Sequence, residues 1–301
     1  MMREHEDKKQ ELSRSHHNAE ALASGFPALL VAAERVAATV SQGVHGRRRV
    51  GQGETFWQFR RYEPGDSTQQ IDWRQSAKST PIYVRETEWE AAQSVWLWRD
   101  GSASMDFKSS ENMSNKSERA ELLLMALASL LARGGERTAL LGTGMTPSTG
   151  RSVLPQILSM LESGGVPSEN LPQIETLPRH ARMVWFGDFL AHPEELDAVV
   201  RVYANHGVKG HLVQVLDPAE ELLPYDGRVM FNGMENGDGE VLVRRVEGLR
   251  AAYRQEIARH NDALKAIVQR YDWSLATHRT DHPPEPVLLA LYLLLSEAVR
   301  S

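Results

Sequence analysis

At 301 residues the chain is long enough for one large domain or two small ones with a buried core. A hydrophobic fraction of 41% beside 25% charged residues excludes a disordered, collagenous or fibrous chain. A net charge of −6 leaves no global pull toward nucleic acid or anionic lipid, and zero cysteines exclude disulfides, thiolate zinc sites and cysteine nucleophiles.

Residues 1–20 are polar, with no apolar stretch able to serve as a signal peptide, and read as a flexible arm. The longest apolar runs, Leu122 to Ala132 and Val287 to Leu295, fall short of the roughly 18–20 residues that span a bilayer. A cytoplasmic protein is expected. Residues 21–90 form a second segment. In it Ala21 to Val40 carries Ala, Leu and Val at helical spacing, and Ser41-Gln42-Gly43 should end that helix. From Arg47 to Arg85 the texture turns β-prone and aromatic (Thr55-Phe56-Trp57-Gln58-Phe59; Ile82-Tyr83-Val84) around the turn signal Glu63-Pro64-Gly65-Asp66.

Residues 91–301 alternate strand and helix, which predicts a doubly wound α/β fold with a mostly parallel sheet covered on both faces. Strands are expected at Val95 to Arg99, Arg137 to Gly142, Ala181 to Phe186, Gly210 to Leu216 and Trp273 to Thr277. Helices are expected at Ser117 to Ala132, Val153 to Leu161, Pro193 to His206, Glu247 to Tyr271 and Pro286 to Val299. Asn236-Gly237-Asp238-Gly239, between Val229-Met230-Phe231 and Val241-Leu242-Val243, reads as an inserted hairpin.

Ligands of open α/β sheets bind beyond the carboxyl ends of the strands. The first of these ends runs Val95-Trp96-Leu97-Trp98-Arg99 into Asp100-Gly101-Ser102-Ala103-Ser104, the spacing D-x-S-x-S. In an extended loop alternate residues point the same way, so one carboxylate and two hydroxyls can converge on a hard cation, Mg²⁺ or Mn²⁺, that keeps waters in its other positions. Two more oxygen donors are available. Val184-Trp185-Phe186-Gly187-Asp188 repeats the strand-then-aspartate design, and the loop Gly142 to Gly150 offers Thr149, with Thr146 as the fallback.

This constellation resembles the metal-ion-dependent adhesion site of the von Willebrand factor A fold. Arg61-Tyr62-Glu63-Pro64-Gly65-Asp66, Ile71-Asp72-Trp73-Arg74-Gln75-Ser76-Ala77-Lys78, Val84-Arg85-Glu86 and Leu216-Asp217-Pro218-Ala219-Glu220 narrow the likeness. Their order resembles the family called domain of unknown function 58, over roughly residues 45 to 300. The resemblance implies a cytoplasmic, metal-dependent protein-binding module, an adaptor or co-chaperone of a MoxR-type AAA+ ATPase that acts on that ATPase's client. Asp100, Ser102, Ser104, Thr149 and Asp188 would hold the metal. Asp66, Asp72, Trp73 and Arg74 would offer a partner surface.

Plainer readings stand beside these. Asp100, Ser102 and Ser104 can satisfy loose amides of a turn, Thr149 and Asp188 can cap helices, and Asp66 and Asp72 can serve a turn network. A metal-dependent hydrolase could use the same cation to activate water, with Asp106 or Asp188 as base. Between Arg47 and Arg85, eight basic residues face four acids with aromatics interleaved. That composition suits a nucleic-acid surface or, since the signs alternate, internal ion pairing. No G-x-S-x-G elbow, H-E-x-x-H helix or phosphate-cradling loop is present.

Overall fold

The computed structural model describes residues 28–45, 56–62, 71, 73–78, 81–87, 94–235 and 239–297. The arm at 1–20 and the partner-surface candidates Asp66 and Asp72 lie outside the described residues.

The β-rich segment holds helix α1 (Ala28–His45), strand β1 (Phe56–Arg61), the single turn α2 (Trp73–Ser76) and strand β2 (Tyr83–Thr87), with β1 and β2 paired antiparallel. After it come β3 (Ser94–Arg99), α3 (Lys116–Gly134), β4 (Arg137–Leu140), α4 (Val153–Glu162), β5 (Arg182–Gly187) and α5 (Pro193–Asn205). The chain continues through β6 (Lys209–Leu216), α6 (Pro218–Leu222), the hairpin β7 (Val229–Asn232) and β8 (Glu240–Val243), α7 (Arg250–Arg270), β9 (Ser274–Arg279) and α8 (Glu285–Glu297).

Five strands form one sheet in the order β4-β3-β5-β6-β9, every neighbouring pair parallel, and the hairpin is a sheet of its own. Because strand side chains alternate between faces, Val95 and Leu97 enter a core shared with α1, α3, α4 and α8, while Trp96 and Trp98 enter a second core shared with α5 and α7. Burial on both faces explains why the strands read as continuous apolar runs. The chain steps from β3 outward to β4 and then crosses to β5 on the other side, so the topological switch point lies between the carboxyl ends of β3 and β5.

Several boundaries differ from expectation by a few residues, and three of them have a clear physical reason. α1 continues to His45 through Ser41-Gln42-Gly43, since Ala33, Val36, Ala37 and Val40 pack against α3, and Glu34 accepts a hydrogen bond from Ser129 (2.8 Å) and pairs with Arg133. Tertiary packing offsets the roughly 1 kcal/mol that a helical glycine costs. β4 stops at Leu140, and the chain doubles back so that Ser148 and Thr138 exchange backbone hydrogen bonds of 2.9 and 3.1 Å. α3 begins at Lys116 because Asn115 caps it, accepting from the Glu118 N–H while the Glu118 side chain accepts from the Asn115 N–H. Among the described residues, no helix is long and apolar enough to cross a membrane.

Candidate metal centre

β3 delivers Asp100 to the switch point fully buried, its N–H still donating to Phe186 O of β5 (2.8 Å). The following turn folds onto that side chain: Ser102 donates to Asp100 Oδ1 from its N–H (2.9 Å) and from its hydroxyl (2.5 Å). Ser104 lies next along the turn, its hydroxyl 3.1 Å from that of Ser102 and donating to Asp188 Oδ2 at 2.6 Å. Asp188 arrives from the end of β5 and is buried, with Oδ1 accepting from the Leu190 N–H (3.1 Å). His260 of α7 meets Phe189 O at 2.8 Å and steadies the same bend.

Two glycines make this approach possible. A Cβ on Gly187 would lie 2.7 Å from Asp100 Cβ and 2.9 Å from Asp100 Oδ2, and one on Gly101 would lie 2.2 Å from Pro167 O. Either added carbon would force the two strand ends, or the turn and its neighbouring loop, apart.

The structure thus brings together Asp100, Ser102, Ser104 and Asp188. It does not bring Thr149 to them. The antiparallel return that sets Ser148 opposite Thr138 carries Thr149 along β4 toward the amino end of the sheet, where it is exposed, and Thr146 is also exposed. The loop that closes over the D-x-S-x-S turn is instead residues 166–170: Gly101 N–H donates to Glu169 O (3.1 Å), and the Ser168 backbone packs against Gly101. Trp73 and Arg74 are exposed on α2.

Sequence reasoning missed the most buried partner of the cluster, Lys116, at the first turn of α3. Its ammonium lies 2.9 Å from Asp188 Oδ2 and 2.5 Å from Glu220 Oε1, with the lysine side chain wholly buried. Burial pulls the lysine pKa down, but the Asp188 and Glu220 carboxylates outweigh it and hold the value above the usual one. Glu220 also accepts from the Asp217 N–H (2.9 Å) while Asp217 accepts from the Ala219 N–H (2.8 Å), a capping box opening α6. The D-x-x-E spacing of Asp217 and Glu220 was a legible helix-start signal, whereas nothing adjacent to Lys116 marked it, since its partners are 72 and 104 residues away.

Asp100 keeps one oxygen apart. Its Oδ2 is buried without a hydrogen-bond partner. Burial, with the Asp188 carboxylate next in weight, pushes the Asp100 pKa up to about 7 despite the hydrogen bonds from Ser102. Such a carboxylate is short of positive charge. Among the described residues no group of three or more His, Cys, Asp or Glu could hold a metal, so any cation here depends on hydroxyl as well as carboxylate oxygens. Beside Ser104 and Asp188 opens a pocket of about 440 Å³, walled by aromatic and aliphatic side chains that include Phe107, Leu190, Tyr225 and Tyr253.

Comparison with known proteins places these features in a lineage. The model of a family described as "Protein of unknown function DUF58" matches residues 58–263. An uncharacterized protein of Mycobacterium bovis (Mb1516) and one of Mycobacterium tuberculosis (Rv1480) are each 30% identical over 235 residues, covering 73% of this chain and 71% of theirs. Among solved structures, the conserved hypothetical protein BatB from Bacteroides thetaiotaomicron aligns with a TM-score of 0.42 at 13% identity, over 69% of this chain and 100% of its own. An aerotolerance-related membrane protein from Bacteroides fragilis aligns with a TM-score of 0.39 at 16% identity, over 68% and 99%.

Proposed function

We propose, for a chain that belongs to the DUF58 family, a metal-dependent protein-binding function: Asp100, Ser102 and Ser104 hold Mg²⁺ or Mn²⁺ at the switch point, and Asp188 supports it through water. The observation that carries this reading is the buried, unpartnered Oδ2 of Asp100 beside two serine hydroxyls. Charge supports it as well. Asp188 and Glu220 share the Lys116 ammonium, the Asp100 carboxylate adds negative charge beside Asp188, and a divalent cation restores balance. Because Lys116 already sits on Asp188 Oδ2, Asp188 serves the cation less directly than Asp100 does. The place expected of Thr149 beside the turn is taken by the 166–170 loop, whose backbone packs on Gly101.

When bound, the cation supplies an open electrophilic position that an Asp or Glu of a partner protein can take. Around that position Ser102 and Ser104 orient Asp100 and Asp188, and the apolar pocket beside them limits water. This is recognition without turnover. The family resemblance suggests the partner, a MoxR-type AAA+ ATPase or its client in the cytoplasm, with this protein as adaptor or co-chaperone.

Thermal unfolding in Mg²⁺, Mn²⁺ or EDTA tests the proposal on the unmodified protein, Asp100→Asn and Thr149→Ala. Metal at about 100 times its Kd should stabilise the fold by about 2.7 kcal/mol, a rise in Tm of about 4 °C for a chain of this size. That rise should vanish in Asp100→Asn and persist in Thr149→Ala. No shift at millimolar metal overturns the metal centre, and capture of the ATPase that survives both EDTA and Asp100→Asn overturns the metal bridge.

A further inference from the structure

The hairpin β7–β8 reaches the candidate centre from outside the sheet. Glu235, just past β7, accepts a hydrogen bond on Oε1 from the Ser104 N–H at 2.9 Å. The last residue of the D-x-S-x-S turn is therefore already a seat for a carboxylate. The residue before it, Met234, lines the adjoining pocket together with Phe231 of β7 and with Phe107, Leu190, Tyr225 and Tyr253.

The hairpin stands apart from the five-stranded sheet. Among the described residues its strands pair only with each other, and a lone two-stranded ribbon is marginally stable in water. One set of anchors lies at its base. Gly227 N–H donates to Glu247 (2.9 Å), Val246 N–H to Gly227 O (3.1 Å), and Arg250 holds Asp226 (2.7 Å) and Tyr225 O (3.0 Å). The contact between Glu235 and Ser104 is solvent-exposed, and Met230, Met234, Val241 and Leu242 leave 40–59% of their surface uncovered. Exposed apolar side chains gathered on one small ribbon mark a recognition surface.

We propose that the β7–β8 hairpin is an internal stand-in for the partner: Glu235 holds the Ser104 N–H and Met234 stands on the wall of the adjoining pocket, a composite site that takes a protein segment in which a large apolar residue precedes an acid. The acid sits on the Ser104 N–H, the apolar side chain fills the pocket, and the incoming segment displaces the hairpin. This deepens the protein-binding reading above and rests on it, but the seat on Ser104 and the pocket exist without a cation.

The test uses the full chain and a labelled synthetic peptide of residues 229–243, read by fluorescence anisotropy in Mg²⁺ and in EDTA. Removing the internal competitor with Glu235→Ala should tighten peptide binding about tenfold, as expected when a competent state is freed. The same peptide carrying Glu235→Gln should bind weakly, and adding Leu190→Ala or Phe107→Ala to the Glu235→Ala protein should cancel the gain. Either pocket variant suffices if the other unfolds. Equal binding by the unmodified and Glu235→Ala proteins, no binding at all, or indifference to the glutamine peptide overturns the proposal. A gain present equally in EDTA supports the composite site and counts against the cation, whereas a metal-dependent Tm rise with no gain counts against the composite site alone.

Discussion

Lys116 shows how a single side chain sets the electrostatics of the centre. It is wholly buried between Asp188 and Glu220, and such a lysine is tolerated only because its charge is matched. Lys116→Met keeps the length and apolar stem but leaves two carboxylates without their cation. The expected cost is about 3–5 kcal/mol in urea unfolding with EDTA, of which Mg²⁺ should restore a part by drawing the freed carboxylate of Asp188. Equal stability of the variant and the unmodified protein would sink this account. Asp100, Ser102, Ser104 and Asp188 could be recognised beforehand because the strand-end rule and the alternation of a short extended turn are local. Lys116 and Glu220 could not, because their role exists only when three separate strand and helix ends meet.

Helix α1 and the return after β4 show the same division among larger pieces. The apolar spacing of α1 was legible, but its attachment was not: Ala33, Val36, Ala37 and Val40 join the core of α3, α4 and α8, so this part of the 21–90 segment and the 91–301 segment share one interior. Ala37 has no exposed surface. Ala37→Asp, which buries an unpaired carboxylate there, should destabilise the protein by at least about 2–3 kcal/mol in denaturant unfolding. A loss below about 0.5 kcal/mol would mean that α1 is not seated on α3. The threonine loop teaches the converse. From spacing alone Thr149 sits just ahead of α4 and reads as placed over the strand ends, yet the antiparallel bridge from Ser148 to Thr138 turns the loop down the outer edge of β4, and the 166–170 loop takes its place.

Across the molecule, buried titratable groups oppose one another in pH. Burial, with Arg182 next in weight, lowers the His211 pKa to about 4, and burial, with Arg119 next, lowers that of His278 to about 4. These histidines are neutral in the fold, so the stability they contribute is complete above about pH 6.5 and is lost as pH falls toward 4. Asp100, raised to about 7, behaves oppositely: its contribution is complete below about pH 4 and is lost as pH rises through 7. In EDTA, Asp100→Asn should therefore gain on the unmodified protein between about pH 4 and 7, by an amount on the order of 4 kcal/mol, and the gap should level off above about 7.5. Denaturant unfolding across that range measures it, and a gap constant with pH would refute the buried carboxylate. Mg²⁺ should close the gap. The alternation of elements, the two-faced burial of the strands, the hairpin and the first half of the centre were all written in local periodicity and strand-end chemistry, which depend on neighbours within a few residues. Strand order, the placement of Lys116 and Glu220, the exclusion of Thr149 and the seat of Glu235 on Ser104 depend on contacts between residues far apart in the chain, and such contacts exist only once the whole core has closed.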